Sequence, residues 1–194
     1  MQPLAELLRP KSLDDVIGQR HLIANGAPLA NLIKNSKLQS MILWGPPGVG
    51  KTTLANIIMS SFDCYSIKLS AVFSGVKDIK DALEQAEQNA LGLFDKPTVL
   101  FVDEIHRFNK AQQDAFLHHL EEGKIILIGA TTENPSFEVN SALLSRCQVY
   151  TLNALDADAI QTLLLQAIKN DPFLKERYIQ IEEFEALVQF AAGD

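Results

Sequence analysis

Gly45-Pro46-Pro47-Gly48-Val49-Gly50-Lys51-Thr52 directly follows the apolar run Met41-Ile42-Leu43-Trp44 and fits the spacing G-x-x-x-x-G-K-[ST]. A loop with few bulky Cβ groups can wrap an anionic phosphate chain and aim successive backbone N–H groups at it. Lys51 is then the group for the β- and γ-phosphates, and the Thr52 hydroxyl the group for Mg²⁺. A helix starting near Thr52 and Thr53 would turn its positive end toward the same charge. The loop implies a nucleoside triphosphate as ligand. A second chemical element follows the apolar run Val99-Leu100-Phe101-Val102, namely Asp103 and Glu104 in the phrase Phe-Val-Asp-Glu-Ile-His. A carboxylate leaving a buried strand beside a phosphate loop suits Mg²⁺, usually through water, and a neighbouring one can polarise a water for attack. Asp103 is assigned to the metal and Glu104 to the water.

Two further positions could complete the chemistry. The run Ile125–Ala130 leads into Thr131-Thr132-Glu133-Asn134, where a hydroxyl could contact the γ-phosphate or its attacking water; Thr132 is the first choice and Asn134 the alternative, with a simple turn hydrogen bond as the competing reading. Arg146, just before an apolar run, is either a surface ion pair or a guanidinium that a neighbouring subunit inserts to neutralise γ-phosphate charge.

These residues need a scaffold that brings strand ends together. Short apolar runs at Met41–Trp44, Ser66–Leu69, Thr98–Val102, Ile125–Ala130 and Gln148–Thr151 read as strands. Helical patterns lie between them, near His21–Asn35, Thr52–Ser61, Val76–Leu91 and Asn109–Glu122; in the third, Val76, Ile79, Leu83, Ala86 and Ala90 recur at helical spacing. Strands alternating with helices predict an α/β fold with a parallel sheet covered on both faces and ligands at its carboxyl edge. From about Asn153 the pattern becomes all-helical, with Asp156 capping a helix to about Lys169 and a second helix over Glu182–Ala192. The expected division is a nucleotide-binding core over 1–152 and a partial helical lid over 153–194, in a chain that reads as a piece of something longer.

Composition narrows the classes. The chain has 194 residues, 47% hydrophobic and 21% charged, enough for one domain and an appendage. No apolar stretch approaches the ~20 residues of a membrane span, so a cytoplasmic protein with no membrane partner is expected. Cys64 and Cys147 stand apart without ligand-like neighbours and read as reduced packing residues. The net charge of −7 argues against a wholly basic surface but allows a local basic patch for nucleic acid. Asn109-Lys110-Ala111-Gln112 begins like a guanine-reading element, yet Gln112 stands where an aspartate should accept from the base, so guanine is disfavoured.

Together these residues resemble the AAA+ ATPases, specifically the clamp-loader branch. Gly45–Thr52 is similar to its Walker A loop and Phe101–Glu104 to its Walker B strand, and Ser145-Arg146-Cys147 resembles the element whose arginine reaches an adjacent subunit's ATP site. Val49 departs from the commoner threonine at a position expected to contribute mainly backbone. Leu8–Gln19 resembles the segment that wraps the adenine, which implies that Val16 and Ile17 line the base pocket. The family implies a five-stranded parallel sheet ordered 5-1-4-3-2 with ATP and Mg²⁺ as cofactors. Leu69–Ile79, Asp103–Gln113 and Gly129–Cys147 further resemble a subfamily of replication-fork maintenance and recombination. That implies a DNA-stimulated, nucleoid-associated ATPase working as a homo-oligomer near single-stranded-DNA-binding protein. It also implies an arginine-bearing helix and an oligomerisation domain beyond Asp194. By resemblance to clamp loaders, Lys77, Arg107 and Lys110 at two helix starts would hold DNA backbone phosphates. The rival readings are a clamp-loader subunit, a branch-migration motor, and a nucleotide-gated scaffold with little hydrolysis.

Overall fold

The computed structural model of the protein describes residues 8–92 and 96–177, together with 179, 181, 183, 184, 186 and 187. The five apolar runs form strands β1 (Met41–Trp44), β2 (Tyr65–Ser70), β3 (Thr98–Asp103), β4 (Ile126–Thr131) and β5 (Gln148–Thr151). All pair in parallel, in the order β2-β3-β4-β1-β5. This is the order expected. The period of two sorts each strand's residues to opposite faces. Met41, Leu43, Val99, Phe101, Ile128 and Ala130 belong to one core layer. Ile42, Leu100, Val102 and Leu127 belong to the other.

Helices cover both layers. On the first lie α1 (Pro28–Lys34) and α2 (Lys51–Ser60), which bury Leu29, Leu32, Leu54, Ala55, Ile58 and Met59. On the second, α3 (Val76–Ala90) and α4 (Lys110–Glu121) bury Ile79, Leu83, Ala86 and Phe116. Each fully buried Leu or Ile contributes roughly 1.5–3 kcal/mol of transfer free energy, so both sheet faces are firmly held. Gly129 allows close packing between strands and the β3–α4 connection, since a Cβ there would meet Ile42 Cδ1 at 2.7 Å and Ile105 Cδ1 at 3.2 Å.

The structure differs from expectation in three places. The helix expected over His21–Asn35 is two, Arg20–Ile23 and α1, because Gly26 takes φ +86° and Pro28 opens the next helix at its first turn. Val49 contributes its side chain as well as its backbone, being buried in the first core layer. Short turns of helix at Ile105–Arg107, Pro135–Glu138 and Ser141–Leu144 occupy segments without a strong period. Beyond the sheet, α5 (Ala157–Asn170) is capped as expected, Asp156 Oδ1 accepting the Ala159 amide at 2.8 Å. The helix expected over Glu182–Ala192 falls largely outside the described residues. Among the described residues, no helix is long and apolar enough to cross a membrane.

Candidate functional site

Parallel pairing puts all five strand ends on one edge, and the strand order makes β1, β4 and β3 neighbours there. The phosphate loop leaves β1, and its first amide, Gly45 N–H, donates to Thr131 O of β4 at 3.2 Å. Gly45 also touches the chain leaving β5; a Cβ there would meet Leu152 O at 2.5 Å. Gly48 and Gly50 have φ +74° and +93°, in the left-handed region that favours glycine, and Gly50 caps α2. As at any helix start, the first-turn amides of α2 have no acceptor within the helix and face out toward the loop.

Lys51 opens α2 and is only 7% exposed. Its Nζ donates to Gly45 O and Pro46 O, each at 2.8 Å. Burial pushes its ammonium below the ordinary lysine value, against the opposing pull of Glu104 and Asp103. Asp103, the last residue of β3, has its carboxyl pushed up, first by burial and then by Glu104's charge; Thr52 and Lys51 work in the other direction. Thr52 Oγ1 stands 3.5 and 3.4 Å from the two Asp103 oxygens. A hydroxyl and a carboxylate at that spacing, in a partly dry site with surplus negative charge, are a hard-oxygen donor pair suited to Mg²⁺.

Glu104 leaves β3 with φ 52° and ψ 47°, the left-handed conformation uncommon outside glycine. This turns the chain at once into the helical turn Ile105–Arg107. The Glu104 Oε2 atom receives the Thr132 hydroxyl at 3.3 Å and lies 3.3 Å from His106 Nδ1. Thr132 is therefore the β4-end residue brought to the carboxylate. Asn134, the alternative, instead caps the next turn by accepting Ser136 N–H at 3.0 Å.

The N-terminal segment reaches this edge through Gln19, which is buried. Its amide donates to Asn153 O at 2.7 Å and accepts Asn153 N–H at 2.9 Å. Half-buried Val16 and Ile17 precede it, beside the chain that leaves β5 and packs on Gly45. Arg146 lies elsewhere. The pairing Met41↔Gln148 places it below the amino end of β5, on the opposite edge from Lys51, where it forms an ion pair with Glu121 and donates to Ala142 O. Lys77, Arg107 and Lys110 are exposed and follow the adjacent strands β2 and β3 at the carboxyl edge. The chain after β2 is tied there, Ala71 N–H donating to Asp103 O at 2.9 Å.

A loop, lysine, hydroxyl and acid pair on one sheet edge is the arrangement of a nucleotide-binding P-loop domain. The model of the family described as ATPase family associated with various cellular activities (AAA) matches residues 41–154. The chain belongs to the AAA family. This AAA chain is 52% identical over 196 residues to the Replication-associated recombination protein A of Haemophilus influenzae, covering 99% of this chain and 43% of that protein. It is 48% identical to ATPase WRNIP1 of Dictyostelium discoideum, over 99% of this chain and 22% of that one. The chain thus spans less than half the length of these relatives. Among solved structures, the Thermotoga maritima RuvB Holliday junction branch migration motor is similar, with a TM-score of 0.68 and 30% identity, over 84% of this chain and 54% of that one.

Three polar residues of this AAA chain escaped the sequence reading. Thr131 is wholly buried and bonds to His106 Nδ1 at 2.9 Å. Gln113, 1% exposed, donates to Phe108 O at 2.9 Å and Glu138 O at 3.1 Å and accepts Asn140 N–H at 2.7 Å. His106 sits in the same phrase as Asp103 and Glu104, and that adjacency was the available signal. Cys147 is a free, half-buried thiol whose burial pushes its pKa up to about 12.

Proposed function

We propose that this domain binds ATP with Mg²⁺ and hydrolyses it at a site that an arginine from a neighbouring copy completes. Turnover would drive remodelling of DNA at replication forks and in recombination. The observation that carries the reading is the acid pair Asp103–Glu104 beside Lys51 and Thr52 on one sheet edge.

Gly45–Lys51 hold the phosphate chain through main-chain amides, and Lys51 neutralises β- and γ-phosphate oxygens. Mg²⁺ held by Thr52 and Asp103 would supply further neutralisation of those oxygens. Glu104 orients the attacking water, whose oxygen bonds to the γ-phosphorus as the bond to the bridging oxygen breaks. Thr132 steadies Glu104, and Val16 with Ile17 packs against the base. Arg146 works in trans, which its place on the far edge of its own sheet supports. DNA phosphates are held at the helix starts by Lys77, Arg107 and Lys110 without reading sequence. The names of the similar proteins support a role in recombination and replication. By family resemblance, the full-length protein is a homo-oligomer acting near single-stranded-DNA-binding protein.

The test is the ATPase rate of the full-length protein with no DNA, with single strands, with forks and with four-way junctions. Stimulation by single-stranded or forked DNA supports the reading; preference for the four-way junction moves it to a branch-migration motor, and no stimulation by any form removes the DNA role. Glu104→Gln should keep ATP binding and lose turnover, whereas a nucleotide-gated scaffold had little turnover to lose.

A further inference from the structure

We infer that His106 is a positioning residue for Glu104: its Nδ1 edge, in polar contact, and the Thr132 hydroxyl, by a hydrogen bond, meet one carboxylate oxygen, Oε2, and so present the other, Oε1, to the attacking water. The inference rests on the reading of Glu104 as the water-orienting acid. The His106 side chain is 9% exposed, and its Nδ1 lies 2.9 Å from Thr131 Oγ1 and 3.3 Å from Glu104 Oε2. A buried imidazole nitrogen needs a partner, and which partner it takes assigns the tautomer.

Two constraints assign it. Thr131 Oγ1 accepts Glu133 N–H at 3.1 Å and gives its only proton to Glu133 O at 3.2 Å, so toward His106 it can only accept. An ionised Glu104 carboxylate can also only accept. Both favour the proton on Nδ1, which points to Thr131 Oγ1 at 2.9 Å, while Glu104 Oε2 at 3.3 Å lies against the same positive edge of the ring. Thr132 Oγ1 donates to the same Glu104 oxygen at 3.3 Å. Among the described residues no donor reaches Oε1. A carboxylate on a free glutamate stem rotates; one held at a single oxygen by a hydroxyl donor and the positive edge of an imidazole offers a fixed lone pair.

The holder is itself rigid. Ile105, wholly buried, anchors the turn against Gly129, and Arg107 N–H closes it onto Glu104 O at 2.8 Å. His106 therefore takes its place from the backbone that also aims Glu104.

Substitution separates positioning from packing. Asparagine can set Nδ2 where Nδ1 was; glutamine carries its amide one atom further, toward the far side of the ring; leucine has no donor. In the full-length protein, His106→Leu and His106→Gln should lower kcat about 10–100-fold with KM and ATP affinity within about twofold, and His106→Asn should stay within about threefold of the parent. Thermal midpoints measured alongside show whether any loss follows unfolding. Equal activity of the Asn and Gln variants, or kcat losses that track the thermal midpoint, overturns the inference. Glu104→Gln is run in parallel. If it kept full turnover, the reading of Glu104 would fail and take this with it. If it is inactive while His106→Leu turns over normally, only the positioning role falls.

Discussion

Gln19 and Asn153 hold each other by two hydrogen bonds across the chain, 2.7 Å from the Gln19 amide to Asn153 O and 2.9 Å from Asn153 N–H back to Gln19 Oε1. A side-chain amide here imitates one rung of a parallel ladder. It fixes the segment carrying Val16 and Ile17 to the strand exit that packs on Gly45, so the proposed base pocket and the phosphate loop share one frame.

Gln19→Leu removes both bonds while keeping bulk and leaves the Asn153 main-chain donor and acceptor without their partner. It should destabilise the domain by about 1–3 kcal/mol. ATP KM should rise several-fold while kcat changes little. Denaturant titration and steady-state kinetics check this, and a KM equal to the parent's would detach the N-terminal segment from base binding.

Asp103 carries a pH dependence whose sign follows from its burial and from Glu104 beside it, which together raise its folded value. The folded state then binds more protons than the unfolded one just above the ordinary aspartate range, so stability falls as pH rises through that window. The favourable contribution is complete below the unfolded value and gone above the folded one. Without nucleotide, Asp103→Asn should therefore raise the thermal midpoint at neutral pH by about 2–4 °C, near 1 kcal/mol once solvent screening is allowed for. The gain should vanish in acid. Mg-ATP should stabilise the parent and not the variant; a lower midpoint for the variant at neutral pH would contradict the account.

Gln113 joins three segments: the end of the Ile105–Arg107 turn at Phe108, Glu138 O and Asn140 N–H. Gln113→Leu fits the volume but takes the partner from Phe108 O in the interior and from Glu138 O and Asn140 N–H nearer the surface. A loss of about 2–4 kcal/mol is expected, more than for an ordinary surface change. Because the same turn carries His106, turnover should drop even at temperatures where the variant is folded.

Arg146 is exposed and paired with Glu121, an ion pair worth less than about 1 kcal/mol, so Arg146→Ala should barely move stability. In the full-length assembly it should abolish turnover, as Glu104→Gln does. Mixing the two inactive proteins tests the trans arrangement. Where an Arg146→Ala copy sits beside a Glu104→Gln copy, one site regains both groups, so about a quarter of sites should revive after random exchange at a head-to-tail interface. Absence of any recovery after verified exchange would place the arginine's role within its own chain.

The central strands β1, β3 and β4 were readable because parallel strands buried on both faces are continuous apolar runs, while the half-exposed edge strands β2 and β5 were marked by shorter apolar stretches; all five appear within a residue or two of their expected bounds. The candidate residues at their ends were readable for the same reason, since the glycine-rich loop leading to Lys51 and Thr52, and the pair Asp103–Glu104, directly follow such runs. The break in the first helix was visible in Gly26 and Pro28, yet the apolar period across His21–Asn35 masked it. His106 was harder. Its place depends on Glu104 adopting a left-handed backbone, which residue type does not announce. Gln113 sits on a helix of ordinary polar pattern, and only the fold shows it buried.

The link from Ala71 N–H to Asp103 O is made wholly of main chain. Side-chain drift at either position leaves it intact, and only proline at 71 would delete the donor. The edge loop after β2 and the acid that ends β3 are consequently joined by a bond almost invisible to mutation. Mechanical continuity between them is a property of the polypeptide itself, inherited whatever residues come to occupy the loop.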